Sequence, residues 1–260
     1  MEMFEALWKL RVLGRSRHLH GFVSRCAAKY FAEGTVRRVP FGPLRGKRFF
    51  CSDGVQFWMP LGLYERETSQ WIISNLRFGD CFYDVGANVG YFSLLGSTLV
   101  GDKGQVIAFE PVSSSVTALR NQISANSISN IGVLRVALAD TAGTGEIVVE
   151  GIPANSHLTA CAISHADSQP EAVEVVGIDT LDQSTARVGV HPNVIKIDVE
   201  GAEYQVLLGA DELLGRRETR LLIATHSTEL RDLCSSLLQS YGYHVSRLSD
   251  FEHEIVATPS

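Results

Sequence analysis

From residue 81 onward the sequence alternates between short apolar runs and longer segments whose apolar residues recur every three or four positions. "CFYDV" (81–85), "QVIAFE" (105–110), "IGVLRVAL" (131–138), "NVIKIDVE" (193–200) and "RLLIATH" (220–226) have the length and the β-branched and aromatic content of buried strands. Between them, helices are expected over about 89–99, over "SSSVTALRNQISAN" (113–126), over "AEYQVLLGADELL" (202–214) and over "STELRDLCSSLLQSYG" (227–242). Strands separated by helices of this length mean βαβ units and a mainly parallel sheet. The last two runs, "YHVSRLS" and "HEIVAT", are joined only by Asp250 to Glu252. That is too short for a crossover helix, so they must close the sheet as an antiparallel hairpin.

Residues 140–190 break the rhythm: "GEIVVE" and "EAVEVVGIDTL" read as strands around a polar loop, "GIPANSHLTACAISHADSQP". Ahead of the alternation, "LYERETSQWIISNL" places Leu63, Trp71, Ile72 and Leu76 on one helical face, and a boundary falls near Gly62. Residues 1–62 then form an N-terminal helical or lid segment. It has a helix interrupted near Gly14 to Gly21 and short strands in the Gly-, Pro- and aromatic-rich stretch that follows. Residues 63–260 form the main domain, with an insertion over about 140–190.

An open parallel sheet binds its ligand beyond the carboxyl ends of its strands, and the loop after the first strand is the default site. Here that loop is Gly86-Ala87-Asn88-Val89-Gly90-Tyr91. A nicotinamide-binding G-x-G-x-x-G would carry glycine at Asn88 and Tyr91, so the loop is a poor cradle for a pyrophosphate. Asp84, at the strand end, adds negative charge where a phosphate would have to approach. A ligand with an ammonium and a sulfonium centre and no phosphate suits it better, and S-adenosyl-L-methionine is such a ligand. Glu110, at the tip of "QVIAFE", is placed to accept hydrogen bonds from both ribose hydroxyls.

The whole chain carries a formal charge of −6, but unevenly. Residues 1–48 hold eleven Lys and Arg against three acids, and the remainder holds twelve against twenty-six. A basic head on an acidic body docks on that body, steers an anionic substrate or touches a membrane surface. The acidic body has no strip of basic and aromatic residues, which disfavours nucleic acid as a partner. The five cysteines are widely spaced with no C-x-x-C pair, so reduced thiols are expected rather than a disulfide framework or a zinc site. The chain lacks a run long enough to span a bilayer and a signal-type apolar region, which sets the expectation of a cytoplasmic protein.

"YERET", "FYDVGANVGYFSLL", "GQVIAFEPVSSSVTALRNQISAN", "ALADTAG", "IDTLD" and "VIKIDVEGAEYQVLLGA" together resemble the FkbM family of S-adenosylmethionine-dependent methyltransferases, from about Tyr64 to His226. The resemblance implies a Rossmann-like class I methyltransferase fold, with a seven-stranded sheet ending in an antiparallel hairpin. It implies methyl transfer, commonly to a hydroxyl of a sugar, polyketide or other secondary metabolite. By the same match Asp84, Gly86, Ala87, Asn88 and Gly90 surround the methionine moiety. Glu110 and Pro111 hold the ribose, Ala137 and Leu138 lie near adenine, and Asp198 borders the cofactor. The family usually ends its fifth strand with Glu-x-His, whereas this chain reads Ala224-Thr225-His226.

Methyl transfer to a hydroxyl needs a held nucleophile and a place for its proton. His226 at the end of the fifth strand is the expected general base, with Asp198 orienting it or the acceptor and His157 in the insertion as a second candidate. Glu200 and Glu203 open a helix, where acids favour the dipole. Asp198 with Glu200 offers oxygen ligands suited to magnesium. With no Glu at position 224, the reading expects no metal. An amine acceptor is the close alternative to a hydroxyl one, and a nicotinamide oxidoreductase or a non-catalytic binding module are the others.

Overall fold

The computed structural model describes residues 32–52, 58–149, 157–158, 172–248 and 253–260. The helix expected over residues 3–31 and most of the polar loop in the insertion lie outside these. Seven strands form the central sheet: β3 (Cys81–Val85), β4 (Gln105–Phe109), β5 (Ile131–Leu134), β10 (Val194–Ile197), β11 (Arg220–Ala224), β12 (Tyr243–Arg247) and β13 (Glu254–Pro259). Their order is β12-β13-β11-β10-β3-β4-β5. β11, β10, β3, β4 and β5 run parallel, and β13 pairs antiparallel with both β11 and β12. This is the expected Rossmann-like sheet with its terminal hairpin, and the order reverses between β3 and β10, where two crossovers leave a crevice.

The strands are apolar on both sides because both faces are covered. Tyr83, Ile107, Ile195, Ile197, Leu221 and Ile223 pack on one face against Val206, Leu213, Leu214, Cys234 and Leu238. Those last five come from helices α6 (Glu203–Leu208), α7 (Asp211–Arg216) and α8 (Thr228–Ser240). Phe82, Val106 and Val194 face the other way, onto Phe92, Leu94 and Leu95 of α3 (Tyr91–Val100) and onto Ile72 and Leu76. Ile72 belongs to α2 (Arg66–Asn75), the helix whose apolar face the spacing of Leu63, Ile72 and Leu76 announced.

Ahead of the sheet, β1 (Val36–Arg38) and β2 (Arg48–Phe50) form an antiparallel hairpin, followed by the short helix α1 (Trp58–Leu61). The hairpin is fastened to α4 (Ser113–Ala125) by two side-chain amides that act as a strand would. Gln122 accepts from the N–H of Phe50 and donates to its carbonyl, at 2.8 and 2.7 Å. Asn126, just past α4, does the same for Arg48, at 2.8 and 2.6 Å.

The structure departs from the sequence reading in three places. The third run splits: the chain leaves the main sheet after Leu134, and β6 (Ala137–Leu138) joins a second, four-stranded sheet with β7 (Gly143–Val149), β8 (His157–Leu158) and β9 (Ala172–Asp179). The guanidinium of Arg135 anchors the break, donating to Pro111 O and to Glu174 of β9. A helix that the reading lacked, α5 (Leu181–Val188), follows β9, capped by the Thr180 hydroxyl accepting from the Gln183 N–H. The expected helix 202–214 is two helices, because Gly209 presses on other backbone. A Cβ there would lie 2.2 Å from Ala139 O. The orphaned start of α7 is satisfied from outside, by the Asp182 carboxylate accepting from Glu212 and Leu213 N–H at 2.8 and 3.0 Å.

Two helical glycines separate packing from propensity. Replacing a helix-interior glycine by alanine gains up to about 1 kcal/mol from propensity alone. At Gly96 a Cβ would sit 2.4 Å from the ring of Phe82, which is fully buried and has nowhere to go. Overpacking of this kind costs about 1–3 kcal/mol, so Gly96→Ala is expected to lower stability in urea unfolding. Gly215 has no neighbour within 4 Å of a built Cβ, and Gly215→Ala is expected to raise stability in the same measurement.

Candidate functional site

The loop after β3 carries three residues in left-handed backbone, Gly86 (φ 76°), Asn88 (φ 48°) and Gly90 (φ 91°). Gly86 is forced: a Cβ would fall 1.8 Å from Asp198 O at the end of β10. Asparagine is among the few non-glycine residues that tolerate this region, which explains Asn88 where a dinucleotide loop would have glycine. The loop is pinned to β4 from two sides. The N–H groups of Gly86 and Ala87 donate to Phe109 O, each at 3.0 Å. The N–H of Asn88 donates to Glu110 Oε2 at 2.8 Å, and that of Val112 to Glu110 Oε1 at 2.9 Å. Glu110 is only 5% exposed. Burial pushes its carboxyl up to about 7 in spite of those two N–H donors.

Behind the loop, Asp84 and Lys196 are register partners on β3 and β10, and both are buried. The Lys196 ammonium lies 3.0 Å from Asp198 Oδ2 and 4.0 Å from Asp84 Oδ1, and 5.0 Å from the centre of the Phe92 ring. Asp84 Oδ2 accepts from the Ser93 hydroxyl at 2.6 Å. Burial works to lower the pKa of Lys196, and Asp198 and Asp84 overcome it and raise it. For Asp84 burial dominates and moves the carboxyl upward, against the lowering pull of Lys196 and Ser93.

Beside Asp198 the chain turns sharply through Glu200 (φ 54°) and Gly201 (φ 108°). Glu203, wholly buried at the start of α6, closes this turn: its Oε1 accepts from Val199 and Gly201 N–H at 3.2 and 3.0 Å. The same oxygen is 2.9 Å from His226 Nδ1. Across the ring, Nε2 lies 3.1 Å from Glu200 Oε2 and 3.6 Å from Asp198 Oδ1. Burial alone would lower His226, but its bonds to Glu200 and Glu203 prevail and push it up to about 10. Both ring nitrogens of His226, the general base expected from the sequence, therefore face carboxylates.

These elements frame one cleft at the carboxyl ends of the strands. Gly86, Ala87, Asn88, Glu110, Pro111, Ala137, Leu138 and Asp198 line it, joined by Met59, Tyr64, Tyr91, Ile147, Lys196 and Glu200. Asp84 and Gly90, which the sequence placed against the ligand, lie outside the lining. Asp84 stands behind Lys196, and Gly90 begins α3 where a Cβ would meet Leu119 Cδ1 at 2.2 Å. His157 pairs with Val148 in the second sheet, and its side chain lies outside the described residues. Position 224, where the resemblance leads to a glutamate, is Ala224, whose register partner on β13 is the buried Glu254. Of this wall the aromatic stretch ending at Tyr64 was legible as a pocket side, whereas Met59 and Ile147 were not, because only the closed fold brings their segments to the strand ends.

The sequence model of the family described as "Methyltransferase FkbM domain" matches residues 84–245. The chain belongs to the FkbM methyltransferase family. The matched region runs from Asp84 in β3 to Val245 in β12 and contains the cleft apart from Met59 and Tyr64. Among curated relatives, Methyltransferase sdnD of Sordaria araneosa is 26% identical over 204 residues, covering 67% of this chain and 78% of that one. Hexuronic acid methyltransferase AglP of Haloferax volcanii is 27% identical over 184 residues, covering 70% of this chain and 72% of that one. Among solved structures, a methyltransferase FkbM from Methylobacillus flagellatus KT superposes with a TM-score of 0.50 at 14% identity. That superposition covers 77% of this chain and about half (52%) of the other, and it speaks for the fold.

Within this FkbM domain, the buried ammonium of Lys196 stands between two carboxylates. Breaking a buried ion pair by deleting one partner costs about 3–5 kcal/mol. Lys196→Met is therefore expected to lower unfolding stability by that amount, with Asp84→Asn restoring part of it. A double-mutant cycle in urea should give a coupling of at least about 1 kcal/mol for this contacting pair.

Proposed function

We propose that this methyltransferase uses S-adenosyl-L-methionine as methyl donor and a hydroxyl of a small molecule as acceptor. The observation that carries the donor is Glu110: a buried carboxylate at the tip of β4, each oxygen accepting one backbone N–H, bordering the cleft. Each oxygen keeps a free lone-pair direction, which suits the two hydroxyls of a ribose. The rest of the lining fits the same ligand. Gly86 lets the end of β3 pack against Asp198 O at the edge of the cleft, and Asn88 Oδ1 is a buried acceptor without a partner among the described residues. Ala137, Leu138 and Ile147 form an apolar wall of the kind a flat purine packs on. When bound, S-adenosyl-L-methionine supplies an electrophilic methyl group on a sulfonium centre.

This chain's own residues then hold the acceptor. Asp198 and Glu200 are the carboxylates at the β10 side of the cleft, and an acceptor O–H donates to them. Lys196 fixes Asp198 through Oδ2, so Oδ1 is the oxygen aimed at the acceptor. Tyr64 and Met59 from the N-terminal side close the cleft against water. Support for an oxygen-rich acceptor comes from the relative whose name makes it a hexuronic acid methyltransferase.

Calorimetric titration of S-adenosyl-L-methionine into the intact protein tests the donor, and no binding would overturn it. Hydrogen bonds to a charged group contribute about 1.5–3 kcal/mol, so Glu110→Gln should weaken binding by roughly 10- to 100-fold. Because the Glu110 carboxyl stands at about 7, its ionised, ribose-binding form is gained as pH rises through that value. Affinity should then fall by about tenfold from pH 8 to pH 6 by proton linkage, and Glu110→Gln should flatten that slope. A panel of sugar acids, polyols and amines then tests the acceptor, and turnover confined to amines would replace the hydroxyl.

A further inference from the structure

We infer that the carboxyl ends of β10 and β11 form a binding site for a divalent first-row metal ion of the Mn²⁺ type, with Asp198, Glu200 and His226 as its ligands. β10 and β11 are parallel neighbours, with Ile197 opposite Ile223; Asp198 follows at once and His226 three residues on, and the two meet at 3.6 Å. The left-handed turn at Glu200 and Gly201 folds a third donor back onto this pair. One oxygen of Asp198, one of Glu200 and a ring nitrogen of His226 all lie within 4.8 Å of one another. Donors about 2.0–2.2 Å from a common ion lie at most about 4.4 Å apart, so small side-chain rotations complete the site.

A second observation points the same way. Glu203 is wholly buried and aims its carboxylate at the group, with Oε1 2.9 Å from His226 Nδ1. Its Oε2 is buried and has no partner among the described residues. A carboxylate accepting the Nδ1–H of a histidine fixes the tautomer whose Nε2 lone pair is free to ligate a metal. Here that Nε2 faces Glu200 Oε2 at 3.1 Å and Asp198 Oδ1 at 3.6 Å. A lone pair aimed at two anionic oxygens is repulsive unless a cation stands between them. Lys196 does not supply it, because its ammonium is held on the far side, by Asp198 Oδ2 and Asp84.

Two carboxylates and one imidazole suit Mn²⁺, Fe²⁺ or Zn²⁺ better than the all-oxygen set that Ca²⁺ takes. The sequence argument against a metal rested on Ala224, but none of the three donors comes from that position. Asp198 and Glu200 also line the cleft, so the open coordination positions of the ion face the acceptor. Its service to the acceptor's oxygens rests on the function proposed above, whereas its binding does not.

The test is a titration of metal-stripped, full-length protein with Mn²⁺ alone, with free Mn²⁺ followed by electron paramagnetic resonance and no methyl donor present. One ion per chain with micromolar affinity is expected. Glu200→Gln and His226→Ala should each weaken it at least tenfold, and Glu203→Gln by about tenfold, as loss of an orienting partner does. The Glu200 side chain is half-exposed, so Glu200→Gln tests the site with the fold intact, as circular dichroism would verify. No saturable binding, or an unchanged affinity in Glu200→Gln and His226→Ala, would overturn the site and leave a proton as the cation on His226. Mn²⁺ binding without S-adenosyl-L-methionine binding would leave the site standing and remove the donor reading; the opposite result would do the reverse.

Discussion

A lysine ammonium removed from water needs anions, and in this protein that need ties the two central strands together. Lys196 and Asp84 face each other across β10 and β3, and Asp198 completes the triad from the end of β10. A buried charge is tolerated only when paired and hydrogen-bonded. The loop after β3 and the end of β10 take their places around that pairing. Asp84, fixed by Lys196 and Ser93, sets the end of β3, so Gly86 can press on Asp198 O. The resulting loop offers the Asn88 N–H to Glu110. On the other side, Asp198 directs one oxygen to Lys196 and the other toward His226.

Charge balance explains why so many acids share one crevice. Asp84, Asp198, Glu200 and Glu203 stand around a single ammonium and a single imidazole. Like charges at these distances repel strongly in a medium drier than water. The excess of negative charge is a standing attraction for cationic ligands at the strand ends. The sulfonium donor and the divalent ion proposed above would both answer it, at different points of the same cleft.

Much of this was legible in the sequence, because the periodicities that made the strands and helices are local. The five parallel strands, the terminal hairpin and helix α8 follow from apolar spacing and from Ser227, whose hydroxyl caps that helix. Asn88, Glu110 and Asp198 were found because a fixed spacing places them at strand ends. What was not legible depends on contacts across long separations. The break after Leu134 is fixed by Arg135 reaching Glu174, and the break at Gly209 by Ala139 and by Asp182 capping α7. The carboxylate beside His226 Nδ1 was equally hidden, because Glu203 arrives from 23 residues away. Gly90 resembled a ligand-contacting glycine, yet it answers to Leu119.

The second sheet has a consequence for how such a protein diversifies. β7 and β9 pair over seven residues each, from Gly143 opposite Ile178 to Val149 opposite Ala172, and β6 and Arg135 tie them to the main body. The segment connecting β7 to β9 therefore starts and ends at a fixed seam. Lengthening such a connection costs only about 0.6 kcal/mol per doubling. Sequence drift in that connection can accumulate while the strand ends that hold Glu110 and Asp198 stay put. One scaffold can thus change length and composition between two paired strands without disturbing its cleft.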